Sequence, residues 1–103
     1  MEPVRLEWRD AVAVLTLDRP KALNALDGAI LEALLARCGE LASNDDVRAV
    51  VLTGEGRAFA AGADIAEMRA MSAGEAEAFS QLGHRVGLAL ESLPVPTIAA
   101  VDG

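Results

Sequence analysis

The sequence is short of aromatic residues and thiols, and both shortages limit what the protein can be. Aromatic residues fill 3% of its 103 positions and Tyr is absent, so Ala, Val and Leu must form the core of a chain that is 52% hydrophobic. The single cysteine, Cys38, has no partner for an internal disulfide or for a cysteine metal pair. A lone thiol is typical of a reducing compartment. The sequence therefore predicts a cytoplasmic protein.

Positive charge and long apolar runs are also scarce. Nine Lys and Arg residues against sixteen Asp and Glu give a net charge of −7, whereas binding a nucleic-acid backbone requires surplus cations. No run approaches the roughly 18 apolar residues that cross a bilayer, and residues 1–10 lack the apolar segment of a secretory signal. We therefore expect neither nucleic acid nor a membrane as a partner.

The apolar pattern predicts an α/β fold. Strands are expected at about 4–8, 11–17, 47–53 and 97–101, and helices at about 27–42, 64–71 and 73–92. The second and third strands are apolar almost throughout, as strands covered on both faces are. Strand, helix and strand with short connections form a βαβ unit. The fold class is therefore α/β with parallel strands.

Local signals support the two long helices. Asp27 is placed to cap the first, and Ser72 with Glu75 has the spacing of a capping box at the start of the second. Each helix carries an apolar stripe that predicts its buried face. The stripes are Ile30, Leu34, Cys38 and Leu41, widened by Leu31 and Leu35, and then Phe79, Leu82, Val86 and Leu90.

The loop from Gly54 to Ile65 is the most informative segment for function. It follows a buried strand, at the end of an α/β sheet where ligands bind, and its small residues would let a ligand reach the backbone. Free N–H groups at the next helical turn would point at bound negative charge. The glycines at 54, 56 and 62 fit neither the dinucleotide-binding nor the P-loop spacing. From spacing alone, a plain structural loop remains an open alternative.

Four segments resemble the crotonase family of enoyl-CoA hydratases and isomerases in order and spacing. They are Asp18-Arg-Pro-Lys-Ala-Leu-Asn-Ala-Leu26, Val50-Val-Leu-Thr-Gly54, Arg57-Ala-Phe-Ala-Ala-Gly-Ala-Asp-Ile65 and Pro96-Thr-Ile-Ala-Ala-Val-Asp-Gly103. The resemblance covers essentially the whole chain, and the third segment is the most specific. It implies a crotonase-like ββα spiral. Because the family usually exceeds twice this length, residues 1–103 are expected to be its N-terminal portion.

The resemblance also implies the chemistry. The substrate would be an acyl-CoA or enoyl-CoA thioester, and the backbone N–H of Ala63 would be one of two donors in an oxyanion hole for its carbonyl oxygen. In the family the second donor and the catalytic glutamates follow the equivalent of Gly103. We therefore expect the 103-residue chain to be truncated before them and inactive.

Further residues are assigned to substrate and CoA binding by the same resemblance. They are Lys21, Ala22, Leu23, Arg57, Ala61, Asp64, Ile65 and Ala66. Lys21 and Arg57 align with cations near the CoA phosphates, although solvated surface charges are an equal alternative. Asp64 is expected to cap the next helical turn rather than act as an acid. Ala66 replaces a lysine found in many relatives, which weakens the case for phosphate binding.

The resemblance predicts no metal and no separate cofactor, since coenzyme A enters with the substrate, and it implies a homotrimer or hexamer. Two alternatives stay open: other CoA-thioester chemistry such as hydrolysis, decarboxylation or dehalogenation, and a binding or assembly module without chemistry. The single histidine, His84, is expected to have a surface or packing role. A solvated position on a helix is expected for the remaining acidic candidates, Glu67, Glu75, Glu77 and Glu91.

Overall fold

A four-stranded sheet with helices packed on it organises the chain. The computed structural model describes residues 3–22, 24–56, 60 and 65–100, with backbone alone at 65 and 66. The elements are β1 (Val4–Arg9), β2 (Val12–Leu17), a 3-10 turn (Pro20–Ala22), α1 (Gly28–Ala42), β3 (Ala49–Gly54), α2 (Ile65–Arg69), α3 (Ala73–Glu91) and β4 (Thr97–Ala99). The α/β prediction is confirmed. Each predicted strand and helix is present, while the predicted ends at residues 64 and 101 lie outside the described residues.

The sheet has the strand order β1-β2-β3-β4. β1 and β2 form an antiparallel hairpin, and its turn contains Asp10 with a φ of 55°, a left-handed conformation that Asp tolerates. The pairs β2–β3 and β3–β4 are parallel, and Leu17 lies opposite Gly54 at the last rung of the first pair. The carboxyl ends of the parallel strands therefore meet at one edge of the sheet.

The core lies between this sheet and the two long helices. The predicted stripe of α1 is buried at Ile30, Leu31, Leu34, Cys38 and Leu41. It packs with sheet residues that are at most 1% exposed, which are Val4, Ala13, Leu15, Leu17 and Val50. The stripe of α3 contributes less: Val86 is buried, and Phe79, Leu82 and Leu90 are partly buried against the same core. Both predicted stripes thus face the core.

The prediction that β2 and β3 are covered on both faces is confirmed only in part for the described residues, although Thr16 on the second face of β2 is buried. Side chains alternate between the faces of a strand, and Leu15 and Val50 belong to the core whereas Val14 and Val51 are only partly buried. On β4, Ile98 is 55% exposed. An apolar run carries no information about which of its faces the helices will cover, so the pattern alone suggested more burial than the structure shows.

The helix caps follow the sequence prediction. The Asp27 side chain accepts a hydrogen bond from the Ile30 N–H at 2.8 Å. Ser72 and Glu75 form both halves of a capping box at the start of α3. Within the ranges described, none of the helices has the length and apolar character needed to cross a membrane.

Candidate functional site

The loop that leaves β2 lines a hollow at the carboxyl edge of the sheet. After Leu17 the chain continues through Asp18 and Arg19 into the 3-10 turn at Pro20–Ala22. A cavity of about 430 Å³ opens here, lined by Asp18, Arg19, Pro20 and Lys21. This is the edge at which open α/β sheets bind their ligands.

Asn24 holds the two loops together from inside. It is fully buried, and its Oδ1 accepts a hydrogen bond from the Arg19 N–H at 2.7 Å while its Nδ2 donates to the Glu55 carbonyl at 2.9 Å. Its φ of 56° is left-handed, a conformation that Asn adopts more readily than most residues. Asn24 therefore fixes the β2 exit loop to the β3 exit loop. Asn24 belongs to the family motif that begins at Asp18, but the sequence pattern predicts no role for it.

Close backbone contacts reinforce the same junction. The Glu55 N–H donates to the Leu17 carbonyl at 2.8 Å. The next residue, Gly56, has a φ of +85°, and a Cβ there would lie 3.1 Å from the Cβ of Pro20. The positive φ favours glycine at this position, and a Cβ there would also oblige Pro20 to shift. The wall of the cavity is thus set by packing between the two loops.

Ion pairs neutralise most of the charged groups around the cavity. Arg5 on β1 pairs with Asp18 at 3.4 Å and also with Glu55. Arg19 Nη1 lies 3.2 Å from Asp27 Oδ2. Lys21 is exposed, and in the part of the chain that the structure describes no ion pair involves it. A protein with a net charge of −7 therefore presents an uncompensated cation at this hollow.

A second long-range contact joins α2 to the start of α1. The Gly28 N–H lies 3.1 Å from Glu67 Oε1 and 3.3 Å from Oε2. Gly28 is the first residue of α1, where backbone N–H groups have no partner within the helix. The prediction that Glu67 is a solvated surface residue is therefore wrong. No local sequence signal could have found this contact, since its two residues are separated by 39 positions.

The structure places only part of the predicted site. Lys21 and Ala22 share the 3-10 turn beside the cavity. Ile65 and Ala66 are the first two residues of α2. Leu23, Arg57, Ala61, Ala63 and Asp64 lie outside the described residues. The roles that the family resemblance gives to all nine residues remain predictions.

The other candidates belong to the helices. Burial raises the pKa of the Cys38 thiol, which is consistent with its predicted place on a core stripe. Hydrogen bonds from the backbone and side chain of Ser72 lower the pKa of the exposed Glu75 carboxyl. His84 is exposed on α3 beside a hollow lined by Ser80, Gln81 and Arg85. Across the described residues, no three His, Cys, Asp or Glu side chains are grouped to hold a metal ion.

The chain is thus an α/β protein with a cavity at the carboxyl edge of its parallel strands. The family model for enoyl-CoA hydratase/isomerase matches residues 7–103. The chain therefore belongs to the enoyl-CoA hydratase/isomerase family, and the resemblance drawn from its motifs is confirmed.

Named relatives match over nearly the whole chain. It is 48% identical to a short-chain-enoyl-CoA hydratase of Clostridium acetobutylicum, covering 97% of this chain and 39% of the relative. A crotonyl-CoA hydratase of Syntrophomonas wolfei is 44% identical, with 99% and 40% covered. The chain thus spans about two-fifths of the length of these proteins.

Solved structures give the same fold. The crystal structure of an enoyl-CoA hydratase from Bacillus anthracis matches with a TM-score of 0.95 at 29% identity, covering 98% of this chain and 40% of that one. That of an enoyl-CoA hydratase from Mycobacterium smegmatis matches with a TM-score of 0.92 at 44% identity, with 96% and 39% covered. The chain therefore has the architecture of the N-terminal portion of a crotonase-fold protein.

Proposed function

We propose that this chain is the N-terminal part of an enoyl-CoA hydratase or isomerase that acts on acyl-CoA thioesters. The observation that carries the proposal is the family match over residues 7–103, together with a cavity lined by the first residues of the motif that begins at Asp18.

The charges around the cavity support an anionic ligand. Coenzyme A carries phosphate groups, and Lys21 is exposed beside the cavity while its neighbours Asp18 and Arg19 are paired with other side chains. We assign Lys21 and Arg57 to the CoA phosphates. The remaining contacts to the CoA and acyl chain are assigned to Ala22, Leu23, Ala61, Asp64, Ile65 and Ala66.

The proposed chemistry depends on the thioester carbonyl. In hydration, water adds across the 2,3-double bond: oxygen bonds to C3, a proton adds to C2, and negative charge gathers transiently on the thioester oxygen. We assign the Ala63 N–H as one of two backbone donors to that oxygen. Removing one such donor typically lowers kcat by about 100- to 1000-fold. The reaction requires no separate cofactor, because the CoA thioester itself activates the double bond.

The second donor and the proton-transferring glutamates are proposed to lie in the segment beyond this chain. On this account residues 1–103 hold half of an oxyanion hole and no acid or base for the reaction. The 103-residue chain should therefore be inactive by itself. A cytoplasmic location and assembly as a homotrimer or a hexamer are proposed on the basis of the family resemblance alone.

Turnover of crotonyl-CoA tests the proposal directly. With the complete protein, the absorbance of the enoyl thioester should decrease, and the product should be heavier than crotonyl-CoA by one water molecule. Hydrolysis to free coenzyme A, or no reaction with any enoyl-CoA tested, would contradict it. The matched control is the purified 103-residue chain, and hydration above the buffer rate by that chain would disprove the assignment of the missing groups.

A further inference from the structure

We propose that Glu67 is a positioning residue: its hydrogen bond to Gly28 holds α2 against the start of α1, and kcat depends on that placement because α2 begins two residues after Ala63, to which the proposed function assigns an oxyanion donor. The inference rests on the proposed function, because the role of Ala63 comes from it. Glu67 follows Ala63 by four residues. It would act on the reaction only through the backbone that leads into α2.

The geometry of the contact supports an anchor rather than a passing surface contact. One N–H, that of Gly28, lies within 3.3 Å of both carboxylate oxygens of Glu67, and the Glu67 residue is half-buried. A carboxylate is favoured at this place because the N–H groups at a helix start are unpaired and the helix dipole is positive there.

The helix that Glu67 anchors is too short to hold its own shape. α2 has five residues, whereas isolated helices shorter than about 12 residues are marginal in water. Its conformation must therefore depend on contacts outside the helix. The bond to Gly28 is such a contact, and it forms only two residues after α2 begins.

The partner of Glu67 is itself fixed to the wall of the cavity. Asp27 caps α1 through its Oδ1, while its Oδ2 pairs with Arg19 of the β2 exit loop at 3.2 Å. Arg19 lines the cavity. A continuous series of contacts thus connects the cavity wall to α2 through the start of α1. Through this connection, the Glu67 carboxylate is linked to the residues that line the cavity.

Gly28 provides a second way to perturb the same bond. A Cβ at Gly28 would lie 3.1 Å from Glu67 Oε1, a distance that obliges the carboxylate to shift. Alanine also forms helices better than glycine does. Gly28→Ala should therefore disturb the contact without lowering the stability of α1, which separates positioning from folding.

Steady-state hydration of crotonyl-CoA by the complete protein tests the inference. Because small misplacements of reacting groups are costly, Glu67→Ala should lower kcat about tenfold, with KM within about twofold of wild type. Glu67→Gln should recover most of kcat, since its amide oxygen still accepts from Gly28. Gly28→Ala should lower kcat to a smaller degree at an unchanged or raised unfolding midpoint. The matched control, Glu77→Ala, removes an equally charged, exposed residue of α3 and should behave as wild type.

Hydrogen exchange of residues 65–71, measured by mass spectrometry, gives a readout that does not require turnover. Exchange should accelerate in Glu67→Ala and stay unchanged in Glu77→Ala. Unchanged exchange in Glu67→Ala overturns the anchor whatever the activity. If the wild type is active, two results overturn the inference and leave the proposed function intact. One is a kcat of Glu67→Ala equal to that of wild type. The other is a loss of kcat in Glu67→Ala that Glu67→Gln shows to the same degree. An inactive wild type overturns both.

Discussion

Replacing Asn24 should show how strongly the β2 and β3 exit loops beside the cavity are held together. This side chain is fully buried and joins the β2 and β3 exit loops through bonds of 2.7 and 2.9 Å. Asn24→Ala leaves the Arg19 N–H and the Glu55 carbonyl without their partner. Each unsatisfied group costs about 1–3 kcal/mol. Because both bonds are only partly buried, we expect a total loss of about 3 kcal/mol.

Two further variants divide that loss into its parts. Asn24→Gly removes the same bonds but relieves the left-handed backbone, so it should cost about 1 kcal/mol less than Asn24→Ala. Asn24→Asp keeps an acceptor for the Arg19 N–H and tolerates the positive φ. It loses only the donor to the Glu55 carbonyl, so we expect an intermediate loss of about 2 kcal/mol.

Urea unfolding of the chain, followed by far-ultraviolet circular dichroism, measures these differences. For a domain of about 100 residues, each 1 kcal/mol also lowers Tm by roughly 4–8 °C. The role of Asn24 is contradicted if Asn24→Ala lowers the free energy of unfolding by less than about 1 kcal/mol, or if Asn24→Gly lowers it more than Asn24→Ala does. Either result would mean that the two loops are held by other contacts.

Three further predictions concern the helices. Ser72→Ala should lower the free energy of unfolding, measured in urea, by about 1 kcal/mol. The folded-state pKa of Glu75 is lowered, so its stabilising contribution is present at neutral pH and is lost as the pH falls through that pKa. Wild type and Glu75→Gln should therefore have similar stabilities in acid. Ile30→Ala should cost about 2–5 kcal/mol and Ile30→Val about 0.5–1.5 kcal/mol in the same assay, and equal losses would contradict the described core. Cys38 should react with iodoacetamide at neutral pH only after urea is added, as measured by intact mass; rapid labelling of the folded chain would contradict its burial.

Much of the fold could be predicted because its signals are local. The apolar stripe of α1 and the caps at Asp27 and Ser72 depend on residues three or four positions apart, and the structure confirms them. The covered face of the sheet was less accessible to prediction. A strand such as Ala49–Gly54 is apolar on both sides, and its sequence does not record where the helices pack.

The contacts that frame the site were not predictable from local pattern. Asn24 reaches Glu55 across 31 residues, and Glu67 reaches Gly28 across 39. Such pairs have no periodicity or spacing, and they exist only because the strand order brings the loops together. The first family motif contains Lys21, which lies beside the cavity at the carboxyl edge of the sheet. The motif did not reveal how that edge is held in shape.

Paired substitutions in the complete protein test most directly whether the N–H of Ala63 stabilises the thioester oxygen, as proposed. Ala63→Pro deletes that N–H, and Ala63→Gly keeps it. We expect Ala63→Pro to lower kcat for crotonyl-CoA hydration by about 100-fold or more, while Ala63→Gly stays near wild type and both variants unfold at similar urea concentrations. Equal kcat values in two folded variants would contradict the account.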